Sequence, residues 1–208
     1  MLSFKKFCFG NMFSNGYVIW DTESCEALIC DCGNPAEPIA RFACELGLKV
    51  RYVLLTHAHY DHVLYMEEYR EAFEDAKLAI GAADAALLSD IEGNVSYLFG
   101  DSRVFDPADV KLCEGDRLSL GESELLVISA PGHTPGGICL YSSADKLMVT
   151  GDTLFGGGGI GRTDFKYGDV EALRATLKRI LSMDGNITIL PGHGGDSKIG
   201  YEQRSLFY

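Results

Sequence analysis

All five histidines of this 208-residue chain fall in three short segments, Thr56-His-Ala-His-Tyr-Asp-His62, Pro131-Gly-His-Thr134 and Pro191-Gly-His-Gly194. A lone histidine usually satisfies its ring nitrogens within a core. Three within six positions, joined by an aspartate and followed by two Pro-Gly-His turns, are hard to explain as packing and suit metal binding. Imidazole nitrogen and carboxylate oxygen are ligands for zinc or non-haem iron, and the absence of cysteine from the group argues against a closed structural zinc site, so the metal is expected to be catalytic. In the extended arm His57-Ala-His59, side chains two apart project the same way and can grip one ion. Asp61 and His62, one turn further, point elsewhere and can serve a second. Val149-Thr-Gly-Asp-Thr-Leu-Phe155 adds an acid where a strand runs into Gly-Asp. Asp152 is the best candidate to bridge two ions, with a turn or cap role as the alternative.

Every histidine segment follows a predicted strand end, so the elements that carry them matter. Short β-rich pieces around Phe4 to Phe9, Asn15 to Trp20 and Ala27 to Cys30 suggest an antiparallel opening. Asn34 as cap, Pro35 in the first turn and Glu37 in a capping-box position predict a helix that Gly47 stops. Val50 to Leu55 reads as a strand buried on both faces, and a polar loop from His57 to His62 leads into a helix over Leu64 to Ala76. Residues 81–109 mix a small-residue helix with the aromatic piece Tyr97-Leu-Phe99, expected to pack on the surface rather than to cover a pocket. Strands at Leu125 to Ile128, Ile138 to Tyr141 and Leu147 to Thr150 predict a second sheet, followed by a helix capped by Asp169, ended by Gly185, and a strand at Ile187 to Leu190. Strands on both sides of central helices imply layers, and a two-sheet sandwich with helices outside, one domain over 1–208, is the expected architecture.

Hydrophobic residues make up 47% and charged residues 23%, a globular balance, and the net charge of −12 works against nucleic acid or an anionic membrane as the partner. No run approaches the roughly 20 apolar residues that cross a bilayer, and the lysines of Met1 to Gly10 sit inside a short apolar stretch rather than ahead of a long one, unlike a signal peptide. Seven cysteines, an odd number without a Cys-x-x-Cys pair, read mostly as buried thiols and favour a reducing cytoplasm. The oligomeric state is not legible.

Together, Thr-His-Ala-His-Tyr-Asp-His, Pro-Gly-His-Thr, Gly-Asp-Thr-Leu-Phe, Gly-Arg-Thr-Asp and Pro-Gly-His-Gly resemble the metallo-β-lactamase superfamily, specifically its glyoxalase II-like hydrolases, from about Asn15 to His193. The resemblance implies an α/β fold, a four-layer αβ/βα sandwich of two mixed β-sheets with helices on the outer faces. It places His57, His59 and His133 on one metal, Asp61, His62 and His193 on the other, and Asp152 between them. Two divalent ions are implied, with zinc expected and iron or manganese compatible with the same donors. The family's first motif often continues with a glycine pair where this chain has Val63-Leu-Tyr65, so the pocket is expected to differ in shape. Glyoxalase II itself adds a C-terminal helical region that helps bind glutathione; only Gly194 to Tyr208 follow the last histidine here, which is closer to the short bacterial-type enzymes.

Two ions about 3.5–4 Å apart can make a hydroxide from a shared water at neutral pH, which would attack a thioester or ester carbonyl. Asp61 and Asp152 would orient the attacking oxygen, and because a thiolate leaves readily no dedicated general acid is needed. Thioester hydrolysis of the hydroxyacylglutathione hydrolase type is therefore the expected activity, on a small-molecule substrate such as a glutathione conjugate. A mononuclear-iron persulfide dioxygenase of the same superfamily is the alternative, as is hydrolysis of another ester or a lactone; flavodiiron reductases, with glutamate at the place of His59, fit less well. Phe155-Gly-Gly-Gly-Gly-Ile-Gly161 imitates a dinucleotide fingerprint but lacks the following helix, and reads better as backbone close to the metals. Arg162, Lys166 and Tyr167, next in sequence, are candidates for an anionic substrate tail, although Arg162 as a partner of Asp164 or Asp152 is the favoured reading.

Overall fold

Alternating apolar residues form two six-stranded sheets in the structure, a computed structural model that describes residues 1–9 and 13–206. Gly10, which ends the lysine-bearing opening stretch, and the last two residues of the tail lie outside them. The first sheet runs in sequence order: β1 (Leu2–Phe7), β2 (Gly16–Asp21), β3 (Glu26–Cys30), β4 (Lys49–Leu55), β5 (Lys77–Gly81) and β6 (Val110–Leu112). Its first three strands are antiparallel and the remainder parallel. The second contains β7 (Arg117–Leu120), β8 (Ser123–Ser129), β9 (Ile138–Ser142), β10 (Leu147–Gly151), β11 (Thr188–Pro191) and β12 (Ser197–Lys198), antiparallel except for the β10–β11 pair.

The period of two along each strand decides the layers. Tyr17, Ile19, Leu28, Cys30, Leu54 and Ala79 face the second sheet, where they pack with Leu118, Leu125, Val127, Leu140 and Val149. Their neighbours Val18, Ile29, Val53, Leu55 and Ile80 face the opposite way. There they meet Ile39 of α1 (Ala36–Glu45), Val63 of α2 (Tyr60–Val63), and Met66 and Tyr69 of α3 (Met66–Ala72). On the outer face of the second sheet Ile128, Met148 and Ile189 bury against Leu173, Leu177 and Ile180 of α4 (Val170–Leu181) and Ile199 of α5 (Ile199–Leu206). Burying each Leu, Ile or Val side chain contributes about 1.5–3 kcal/mol, so this one alternation drives the assembly of all four layers. Among the described residues, no helix is long and apolar enough to cross a membrane.

Several local expectations are corrected. Asn34 does not cap α1: its carbonyl oxygen accepts the Phe9 N–H at 2.5 Å and its amide donates to Ser14 O at 3.1 Å, while the Ala36 N–H is taken by Glu68 of α3 at 3.2 Å. Gly47 does end the helix, at φ +63°. The expected helix over Leu64 to Ala76 starts earlier and is broken, because the end of β3 captures its backbone: Cys32 N donates to His62 O at 2.7 Å and Tyr65 N to Cys32 O at 2.9 Å. Only the second half of β4 is buried on both faces. Asp169 caps α4 as expected, accepting from Glu171 N and Ala172 N at 2.9 and 3.0 Å. Of the cysteines, Cys30, Cys32 and Cys139 are buried, whereas Cys8, Cys44 and Cys113, near the ends of elements, are exposed.

Residues 81–109 hold no α-helix among the described residues, only short 3-10 turns at Leu87–Ser89 and Ser96–Phe99. The small-residue run is bent into a turn by Asp84, whose buried carboxylate accepts from Ala58 N at 3.1 Å and Gly136 N at 2.5 Å. Nor is Tyr97-Leu-Phe99 ordinary surface packing: Leu98 and Phe99 line the cleft described next.

Candidate metal centre

The strands β8, β10 and β11 run the same way in the second sheet, so the residues that follow them emerge at one edge. His133 follows β8, Asp152 follows β10 and His193 follows β11, while His57 and His59 follow β4 across the gap. The ligand atoms of His57, His59 and His133 lie within 4.8 Å of one another, and the same holds for Asp61, His62 and His193. A third grouping, His57, His62 and Asp152, links the two sets. The Asp152 carboxylate stands 3.3 Å from His62 Nε2, 3.6 Å from His133 Nε2 and 3.5 Å from His193 Nε2. Asp61 Oδ2 is 3.1 Å from His193 Nε2 and 3.5 Å from His62 Nε2.

The rear nitrogens of the rings fix their orientation. His133 Nδ1 donates to Arg162 O at 2.7 Å, His193 Nδ1 to Phe13 O at 3.1 Å, and His62 Nδ1 to the Asp31 carboxylate at 2.9 Å. Thr56 Oγ1 gives its hydrogen to Asp31 at 2.9 Å and therefore accepts from His57 Nδ1 at 3.1 Å. Each of these contacts places a proton on Nδ1 and turns Nε2 toward the centre. His59 presents Nδ1 instead, 2.8 Å from His133 Nε2.

The loops are held just as firmly. Asn15 donates to Pro191 O at 2.9 Å and Gly194 O at 3.0 Å, Ser14 Oγ to Asp61 O at 2.6 Å, and Thr176 of α4 to Pro131 O at 2.8 Å. Gly192 is needed for space: a Cβ there would lie 2.1 Å from Asp152 Oδ1 and 2.8 Å from His62 Cε1. The glycine-rich loop also approaches the centre, since a Cβ on Gly161 would sit 1.9 Å from Asp152 O. It is pinned from outside by the buried Glu202 of α5, which accepts from Gly157 N at 3.1 Å and Gly158 N at 2.6 Å.

Electrostatics prepare the donors for cations. Burial, reinforced by neighbouring rings, holds His57 well below the ordinary imidazole range and pushes His59 down to about 3; burial also lowers His133. Burial opposes ionisation of Asp61 and Asp152, yet the adjacent His62 and His193 keep both carboxyls below their usual range. Burial likewise works against a charged His62, but Asp61, Asp152 and Asp31 outweigh it and raise its pKa well above normal. His57, His59 and His133 are thus neutral donors, whereas the ionised Asp61 and Asp152 hold positive charge on His62, a compensating role that a divalent ion between the carboxylates would take over. His57 Nε2 and Asp152 Oδ1 are buried and make no hydrogen bond. Two orphaned acceptors directed at one point fit a divalent ion, with nitrogen and oxygen donors of the types zinc, iron and manganese take.

A cleft of about 390 Å³ opens over the donors. Of the three residues expected at a substrate tail, Arg162 reaches it, while Lys166 and Tyr167 are not among its lining residues. Arg162 makes two bonds of 2.6 Å to Asp164, Lys166 pairs with Glu92, and the Tyr167 hydroxyl donates to Asp90 at 2.7 Å. Sequence reasoning did not single out Asp31, Ser14, Asn15 or Asp84. Asp31, an acid immediately after a predicted strand, carried the same signal that identified Asp152.

The family model described as the metallo-beta-lactamase superfamily matches residues 9–193. The hydroxyacylglutathione hydrolase GloC of Haemophilus influenzae is 36% identical over 194 residues, covering 92% of this chain and 90% of that protein. Among solved structures, BLEG-1 B3 metallo-beta-lactamase superposes with a TM-score of 0.90 at 31% identity over 99% of both chains. TTHA1623, solved in a di-iron-bound form, superposes with a TM-score of 0.84 at 31% identity over 97% of this chain and 98% of that one.

Proposed function

Since the chain belongs to the metallo-beta-lactamase superfamily, we propose that it is a dinuclear metallo-hydrolase acting on thioesters, of the hydroxyacylglutathione hydrolase type. The observation that carries this reading is the position of Asp152, whose carboxylate is within 3.6 Å of imidazole nitrogens from both donor sets. His57, His59 and His133 would hold the first ion and Asp61, His62 and His193 the second, with Asp152 available to both. We assign zinc to both positions; the di-iron form of TTHA1623 shows that a protein 31% identical to this one takes another metal.

Bound there, two divalent ions would acidify a shared water and polarise a carbonyl. The chain supplies the rest. Asp61 and Asp152, kept ionised by His62 and His193, accept hydrogen bonds from the attacking water and direct its lone pair. Phe165, packed edge-to-face on His59 with ring centroids 5.4 Å apart, and Phe99 exclude bulk water from one side of the cleft. A thiolate departs without protonation, so the lack of a spare acid among the described residues lining the cleft suits a thioester better than an amide. The relationship to the hydroxyacylglutathione hydrolase of Haemophilus influenzae supports the same bond type. A mononuclear persulfide dioxygenase gives no role to His193, which lies 3.1 Å from Asp61.

The test is metal analysis of protein purified without chelator, paired with two assays: thiol release from S-lactoylglutathione, and oxygen uptake with glutathione persulfide. Two metals per chain and thiol release are expected. One iron with oxygen uptake would replace this reading by the dioxygenase.

A further inference from the structure

The cleft has one feature that the hydrolytic reading uses only to exclude water. Its walls are apolar: Val95, Leu98, Phe99, Phe155, Ile160 and Phe165 surround the donor residues. Leu98 is 52% exposed, Phe99 50% and Ile160 43%, a concentration of open hydrophobic surface that water alone does not favour.

Part of this wall is held in an unfavourable backbone. Val95 has φ +58° and ψ 15°, a left-handed conformation that costs a β-branched residue about 1–3 kcal/mol. The flanking segment enforces it. The buried Asn94 donates to Leu88 O at 3.1 Å and Arg103 O at 2.9 Å and accepts from Ser96 N at 2.9 Å; its own carbonyl takes the Tyr60 N–H at 2.7 Å. Phe99 in turn stacks on Tyr60 with ring centroids 5.2 Å apart. The wall is thus tied to α2, the helix that carries Asp61 and His62, and is formed in advance of any ligand.

Charge points the same way. Among the described residues lining the cleft, Arg162 is the only lysine or arginine. Its fork is filled by Asp164, and its guanidinium lies 4.2 Å over the Phe165 ring. Lys166 is taken by Glu92. An anionic tail finds no free cation here, whereas an aliphatic or aromatic group finds a preformed surface.

Resting on the thioesterase reading, we propose that this cleft selects substrates with an uncharged apolar group beside the scissile carbonyl, with Leu98, Phe99 and Ile160 as the residues that set the preference. The group lies on either the acyl or the thiol side, and two substrate series separate these. In one, the acyl chain of N-acetylcysteamine thioesters is lengthened from acetyl to hexanoyl. In the other, the thiol of acetyl thioesters is lengthened from methyl to hexyl.

With the metal-loaded full-length enzyme, kcat/KM should rise by about tenfold or more along one series, since each fully buried methylene is worth about fourfold. The Leu98→Ala/Phe99→Ala double variant, altered at exposed positions and checked for an unchanged fold by circular dichroism, should reduce that ratio to about threefold or less. S-hexanoylglutathione should not exceed S-hexanoyl-N-acetylcysteamine by more than about threefold. Flat profiles in both series, a ratio that survives the double variant, or a stronger preference for glutathione overturns the proposal while leaving thioester hydrolysis in place. Hydrolysis of none of these thioesters, S-lactoylglutathione included, overturns both.

Discussion

Asp31 holds His62 from behind: its Oδ2 accepts the imidazole Nδ1–H at 2.9 Å, and its Oδ1 accepts the Thr56 backbone N–H at 2.7 Å. The aspartate sits at φ +64° directly after β3, and its own N–H donates to Leu54 O of β4. One carboxylate therefore locks two strand ends together and sets the ring orientation of a proposed metal ligand at the same time.

Replacing that carboxylate should weaken the second metal position. Asp31→Ala frees the His62 ring and strands the Thr56 N–H, so affinity for the second metal should fall about 10–100-fold, and stability by about 1–3 kcal/mol. Competitive chelator titration and thermal melts measure the two effects. Unaltered metal affinity would make Asp31 purely structural.

Asp61→Ala removes a donor from the second set while the other ligands and the hydrophobic layers remain. The expected outcome is about one metal per chain, a fall in kcat of about 100-fold or more and little change in the melting temperature of the metal-free protein. Undiminished turnover would take Asp61 out of the mechanism.

Gly192→Ala changes no chemical group, yet its new methyl would lie 2.1 Å from Asp152 Oδ1. The carboxylate must move, and both ion positions depend on it. Metal content should drop and kcat fall by about 100-fold, because misplacing a reacting group by an ångström costs that much. Elemental analysis beside steady-state kinetics would show this, and a fully loaded, fully active variant would contradict the bridging position of Asp152.

Asp21 lies at the opposite end of the sequence argument, far from any histidine motif. The Ser24 backbone N–H and the Ser123 hydroxyl, at 2.9 and 2.7 Å, hold its carboxyl well below the usual range. A depressed carboxylate pKa contributes stability that is present above the unfolded value, about 3.9, and is lost as the pH falls below it. Asp21→Asn should therefore cost about 1–3 kcal/mol at pH 7, with the gap to the parent protein starting to narrow below about pH 4 and closing only as the pH falls through the depressed pKa of the folded state. Denaturant melts from pH 7 down to about pH 2 test the sign, and a gap as wide at pH 2 as at pH 7 would disprove it.

Local chemistry made the proposed donors, which the fold brings together, readable. The three imidazoles of Thr56 to His62, the two Pro-Gly-His turns and Gly-Asp152 are short-range patterns, and the alternation through Tyr17, Val18 and Ile19 already contained the two faces of a sheet. Helix α4 announced itself by Asp169 and its apolar spacing. These features depend on residues within one turn or one strand of each other, which is the range over which periodicity and capping act.

Tertiary structure alone decided the remainder. Asn34 looked like a cap and instead bonds Phe9 and Ser14; the helix after the histidine motif was split by Cys32; Tyr97-Leu98-Phe99 became a wall of the cleft. Asp31 against His62, Asn15 against Pro191, and the strained Val95 join positions far apart in the chain or adopt conformations that side-chain type does not advertise. A sequence written in residue types carries the candidate donors of a metal centre because their chemistry is intrinsic. The partners that aim those donors, and the surface that meets the substrate, exist only once distant strand ends have been brought to a common edge.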